Sequence, residues 1–133
     1  MAVIRIAAAV IVDEGGRTLL VRKRGTEAFM QPGGKLADGE APIDALEREL
    51  REELGCAIAA GHRPLGRFSA AAANEADTIV EAELFGIDLV GEIAPAAEID
   101  EARWHDPEDL TAVTLAPLTR EHVLPLVRSW RAE

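Results

Sequence analysis

GKLADGEAPIDALERELREELGC, from Gly34 to Cys56, changes character halfway along. Residues 34–41 carry glycines and charges without apolar periodicity. From Pro42 onward, Ile43, Leu46, Leu50 and Leu54 recur at spacings of three and four, which predicts an amphipathic helix. Pro42 suits its first turn, and Gly55 stands where a left-handed C-cap belongs. Within the helix, Glu49, Glu52 and Glu53 cover an arc of roughly 100°, at about 100° per residue, centred away from the leucine stripe. Like charges at these spacings destabilise a helix by about 0.2–0.5 kcal/mol per pair. Two readings explain the crowding. The carboxylates form a solvated face balanced by Arg48 and Arg51, or they hold a hard divalent cation, which takes oxygen ligands and commonly carries phosphate.

Outward from the helix the chain is rich in β signals. Val3–Val12 and Thr18–Arg24 read as strands, with Asp13–Gly16 as a hairpin turn between them. FMQPGGK, residues 29–35, is a short apolar piece that breaks into a Pro-Gly-Gly loop. Downstream, Arg63–Ala71 and Thr78–Val90 are strands around a loop at residues 73–77. Glu101–Asp106 is a further short strand and Pro107–Leu110 a helical turn. Pro117–Trp130 is a C-terminal helix that Pro125 should kink or split. Neither a repeat nor a linker divides residues 1–133, so we expect one domain with helices packed on a mixed sheet.

Hydrophobic residues make up 48% of the chain, enough for a core. The longest apolar run, Ile6–Val12, is far below the roughly 18 residues that span a bilayer. Neither a secretory leader nor a membrane partner is therefore expected. The single cysteine, Cys56, allows no intrachain disulfide and fits a cytoplasmic setting. With 24 acidic against 14 basic residues the net charge is −10. General attraction to a nucleic acid polymer requires clustered Lys and Arg, and is not expected. An acidic protein can still act on phosphates when a cation supplies positive charge.

The interval from Gly34 to Glu40, then to Arg48-Glu49-Leu50-Arg51-Glu52-Glu53-Leu54-Gly55, resembles the Nudix box of the Nudix (MutT-like) hydrolases. Every charged and glycine position is filled. Cys56 stands where an aliphatic residue is usual, and a buried cysteine behaves as a small hydrophobe. The LLVRKR, PGGK and EIDEARWHDPEDL segments resemble the family's flanking regions. The resemblance implies an α/β fold, a Nudix-type α/β/α sandwich around a central mixed sheet. It implies that Glu49, Glu52 and Glu53 bind Mg²⁺ or Mn²⁺, with the Gly34 carbonyl as a further ligand. Glu40, Arg48 and Gly55 would support the box, and Arg48 would also serve the catalytic centre.

The implied chemistry is hydrolysis of a nucleoside diphosphate linked to another group. Glu53, Glu52 and Glu98 are the candidate catalytic carboxylates, with Glu53 and Glu98 the candidates for the base that activates water. Glu98, six residues before Trp104, falls where mutator-type relatives carry a fourth metal-binding glutamate, and Glu101 is a lesser rival. Arg22, Lys23, Lys35 and Gly33 are candidate substrate contacts. The first substrate class to expect is a small-molecule (deoxy)nucleoside triphosphate, oxidised forms such as 8-oxo-dGTP included. The proline and tyrosine that mark ADP-ribose and dinucleoside-polyphosphate relatives are missing from SAAAANE, residues 69–75. Those substrates, and a non-catalytic nucleotide sensor, are the alternatives. A homodimer is frequent in the family, although no feature here marks an interface.

Overall fold

A computed structural model describes residues 1–131. Strand β1, Ala2–Val10, organises the molecule because it is apolar on both faces. Ala7 and Ala9 pack with Ala45, Leu46, Leu50 and Leu54 of helix α1, Pro42–Leu54. The alternate residues Ala8 and Val10 pack with Val123 and Val127 near the C-terminal helix α2, Leu124–Arg131. Period-two alternation thus sends one strand's side chains into two helical layers, the α/β/α arrangement expected from the sequence.

The sheet around β1 is mixed. Its strand order is β4-β1-β7-β6, with β4 at Gly33–Lys35, β6 at Arg63–Ala71 and β7 at Thr78–Gly86. β1 runs parallel to β7 and antiparallel to β4. A second, antiparallel sheet has the order β3-β2-β9, from Phe29–Met30, Thr18–Lys23 and Ile99–His105. Strands β5, Ala57–Ile58, and β8, Leu89–Val90, form a small ribbon. In β2, Leu19 and Val21 face the α1 core, while Leu20 packs with Phe29 and Leu124.

Several local expectations are corrected. The Asp13–Gly16 turn forms, with the Asp13 carboxylate accepting from the Arg17 N–H at 2.8 Å, but the hairpin closes only at Val12 and Thr18. Both edges of β1 are occupied by β4 and β7, so β2 pairs elsewhere. The Pro-Gly-Gly loop is in fact the entry to strand β4. Residues 107–110 make a hydrogen-bonded turn, from the Asp109 N–H to the Asp106 carbonyl, without continuing as helix. The interruption expected at Pro125 takes the form of a π-helical turn, Thr119–Val123, in which the Leu124 N–H reaches back to the Thr119 carbonyl.

Helix α1 agrees with its sequence signals at both ends. Ala41 precedes it in extended conformation, Pro42 opens it, and Gly55 closes it at φ 69° with its N–H on the Arg51 carbonyl. Four fully buried side chains, Ala45, Leu46, Leu50 and Leu54, hold it to the sheet. Each leucine contributes about 1.5–3 kcal/mol of burial. Its last carbonyls do not face water. The N–H groups of Ala94 and Ala96 bond to the Leu54 and Glu53 carbonyls at 2.9 and 2.8 Å. That contact lays the segment before β9 across the helix end and brings Glu98 to the same side as Glu53.

Candidate active site

The three helix carboxylates have three different environments. Glu53 lies within the buried face of α1, three residues after Leu50 and seven after Leu46, and is only 3% exposed. Its Oε1 accepts a hydrogen bond from the Gly33 N–H at 3.2 Å. Burial pushes its carboxyl up to about 8, opposed by the Gly33 hydrogen bond and reinforced by the negative charge of Glu49. Glu49 is largely buried beside it, while Glu52 is more than half exposed. The helical arc alone had grouped all three on one cleft-facing side. Tertiary packing divides them.

Arg48 gathers the surrounding loop. Its guanidinium makes a fork to Glu40, with Nε on Oε2 at 3.0 Å and Nη2 on Oε1 at 2.9 Å. Nη2 also donates to the Lys35 carbonyl at 3.1 Å, and Nη1 to Glu49 Oε1 at 2.8 Å. Glu52 Oε2 is 3.8 Å from Nη1. Glu40 in turn accepts from the Ala37 N–H at 3.0 Å. The Arg48 hydrogen bonds, followed by that of Ala37, lower the Glu40 carboxyl to about 2. The same ion pairs raise the Arg48 pKa. This is bidentate geometry that lysine cannot reproduce.

The glycines of β4 permit the approach. A Cβ on Gly34 would lie 2.4 Å from Cδ of Glu49. A Cβ on Gly33, whose φ is 149°, would lie 2.2 Å from the Ala7 carbonyl oxygen. One glycine admits a helix carboxylate and the other admits a neighbouring strand.

A cleft of about 380 Å³ opens at this point. Of the residues singled out in the sequence, Gly33, Gly34, Lys35, Glu49, Glu53, Lys23 and Glu98 line it. Lys23 Nζ and Glu98 Oε1 are 3.4 Å apart at its rim. Arg22 does not line the cleft. It pairs with Asp100 at 2.7 Å and Glu101 at 3.5 Å and donates to the Thr26 carbonyl, and the Asp100 hydrogen bond raises its pKa. Strand parity places Arg22 and Lys23 on opposite faces of β2. Arg48, Glu40, Glu52 and Gly55 also lie outside the lining. Gln31, Asn74 and Glu75 line the cleft without having been singled out. Asn74 and Glu75 belong to the β6–β7 loop, which carried only a turn signal, and Gln31 sits in an apolar stretch. Trp104 packs in the core around α1.

Among the described residues, no three His, Cys, Asp or Glu side chains converge into a ready metal cluster. The donor chemistry nevertheless fits a hard cation. Glu53 is a buried carboxylate whose charge burial, Glu49 and Glu98 disfavour more than the Gly33 hydrogen bond and Lys23 favour it, so a further cation would stabilise its ionised form. Glu49 is the nearby second oxygen donor.

Comparison with known proteins bears on the family and the fold. The NUDIX domain family model matches residues 3–127. An 8-oxo-dGTP diphosphatase of Haemophilus influenzae is 42% identical over 57 residues, 40% of this chain and 42% of that protein. An RNA pyrophosphohydrolase of Halorhodospira halophila is 41% identical over 46 residues, 35% of this chain and 25% of that protein. The chain thus spans less than half the length of either curated relative. The crystal structure of a MutT protein from Methanosarcina mazei superposes with a TM-score of 0.77 at 21% identity, covering 99% of this chain and 97% of that one. At that identity the likeness establishes the fold.

Proposed function

This chain belongs to the NUDIX domain family, and from that premise we propose that residues 1–133 form one divalent-metal-dependent hydrolase domain cleaving a phosphoanhydride bond in a small nucleotide. The observation that carries the reading is the buried Glu53 carboxylate, hydrogen-bonded to Gly33 and flanked by Glu49 at a nucleotide-sized cleft. Mg²⁺ or Mn²⁺, held by Glu49, Glu52, Glu53, the Gly34 carbonyl and Glu98, would neutralise phosphate oxygens and acidify a water.

The chain's own groups complete the chemistry. Lys23 and Lys35 bring positive charge to the cleft wall, where a diphosphate needs it. Gly33 and Gly34 leave room for the Ala7 backbone and the Glu49 carboxylate, which brings β4 and the helix carboxylates together at the cleft. Glu53, once ionised, would be one candidate to take the proton of the attacking water, and Glu98, on the same cleft, is a second. Arg48 and Glu40 do not line the cleft. They position Glu49 and the Lys35 end of β4.

Within this class we favour (deoxy)nucleoside triphosphates, oxidised ones included, because the local likeness to the Haemophilus diphosphatase runs in that direction. The Halorhodospira likeness raises a 5′-triphosphate on RNA as a second reading. A net charge of −10 disfavours the polymer beyond its end. A screen with Mg²⁺ over dNTPs, 8-oxo-dGTP, ADP-ribose, dinucleoside polyphosphates and triphosphorylated RNA tests the proposal. Turnover abolished by chelation and by Glu53→Gln is expected. Tight nucleotide binding without turnover across the panel would instead identify a sensing module.

A further inference from the structure

Gln31 is a polar side chain on an otherwise aliphatic part of the cleft. It is only 6% exposed and directly precedes the Pro32-Gly33 entry to β4. Its Oε1 accepts a hydrogen bond from Thr119 Oγ1 at 3.0 Å. Thr119 is fully buried at the start of the π-helical turn, so the hydroxyl anchors the amide from behind. The other end of the amide, Nε2, is buried and has no hydrogen-bond partner among the described residues. Buried donors are ordinarily satisfied, and an orphan beside a ligand cavity calls for an explanation. The nearby lining residues Ile6, Val80, Ala116 and Leu118 have no side-chain group that could satisfy it. The lining also contains no aromatic ring on which a base could stack.

We propose that Gln31 is a specificity-determining residue whose Nε2–H donates to a carbonyl oxygen of the substrate base, selecting keto over amino bases. The inference rests on the nucleotide-hydrolase reading of the same cleft. Its chemistry is a donor–acceptor match. An N–H end held in place by Thr119 pairs with O6 of guanine or hypoxanthine, or with O4 of uracil or thymine. It meets the exocyclic amino group of adenine or cytosine donor to donor. Aliphatic walls accept either ring by shape, and of the polar lining residues Gln31, Asn74 and Glu75, Gln31 is the one whose donor end is buried and left over for a base edge.

Matched pairs isolate this contact: dITP against dATP, and dUTP against dCTP, for the wild-type chain and for Gln31→Leu and Gln31→Met. Steady-state kinetics should give at least about a tenfold higher kcat/KM for the keto member of a pair. Both variants should reduce that ratio to within about threefold, mainly through KM for the keto substrate. Melting temperatures identify any variant that fails to fold, and Gln31→Met, close to glutamine in length and volume, provides the second route. Equilibrium binding of dIMP and dAMP measures the same preference without turnover. Hydrolysis with equal use of both members, or a preference unchanged by either folded variant, overturns the inference while leaving the hydrolase reading intact. Keto-selective binding that depends on Gln31, without any hydrolysis, would retain the inference and overturn the hydrolase reading.

Discussion

The backbone N–H of Gly33 donates to Glu53 Oε1 at 3.2 Å, tying strand β4 to a carboxylate within the buried face of α1. The contact lowers the Glu53 pKa but does not offset burial, which leaves the carboxyl near 8 against an ordinary value of 4.5. The site therefore holds a group that is neutral or ionised according to what the cleft contains.

The first prediction concerns pH. A folded-state pKa above the unfolded value means that the folded chain holds the proton more tightly. The associated stability is complete below about pH 4.5 and is lost as pH rises through about 8. Without metal, Glu53→Gln should therefore gain stability relative to wild type as pH rises across this window, reaching about 4 °C or more in Tm by pH 8.5. Mg²⁺ should reverse the ranking by stabilising wild type alone, and its affinity should increase with pH because binding releases the proton. Thermal melts with and without Mg²⁺ between pH 5 and 8.5 are the measurement. A Tm difference that does not change with pH would contradict the assignment.

Adjacent glycines should fail in different ways. Gly34→Ala places its Cβ on the movable Glu49 carboxylate, so activity should drop by about 10²-fold with a modest change in Tm. Gly33→Ala meets the backbone of Ala7 and Ala8, which cannot step aside, and should cost about 1–3 kcal/mol of stability. Parallel assays of activity and urea unfolding distinguish these outcomes.

Arg48→Lys retains charge but loses the fork to Glu40 and the simultaneous reach to Glu49 and the Lys35 carbonyl. A fall of about 10–100-fold in kcat or in Mg²⁺ affinity is expected, as for other partners that orient a metal ligand. Kinetics over a Mg²⁺ titration separate the two effects. Wild-type behaviour at all Mg²⁺ concentrations would remove Arg48 from the machinery.

Lys23 and Arg22 are neighbours in sequence on opposite faces of β2. Lys23→Ala should raise KM by about tenfold, the loss of roughly 1.4 kcal/mol of phosphate attraction. Arg22→Ala breaks ion pairs with Asp100 and Glu101 away from the cleft and should leave KM within about twofold. Equal effects on KM would mean that strand parity does not decide which charge reaches the substrate.

Much of the architecture was legible in local signals. Pro42, the leucine spacing and Gly55 defined α1 at both ends, because helix periodicity and capping depend on residues within a few positions. The β6 boundaries and the interruption near Pro125 followed from equally local chemistry. The box spacing anticipated the Arg48–Glu40 pair. Three-dimensional neighbours were less accessible. The Asp13–Gly16 turn could not reveal that β1 and β2 separate into different sheets, since that depends on β7 arriving from residues 78–86 to occupy one edge of β1. Nor could the helical arc reveal that Glu53 is buried while Glu52 is exposed, or that Lys23 rather than Arg22 enters the cleft. Gln31 acquires its unpaired amide only when Thr119, distant in sequence, takes the other end. The sequence by itself determined the bounds of helix α1 and the residue types that it carries. Tertiary packing decided which are desolvated and face one another, because burial and pairing are set by segments far apart along the chain.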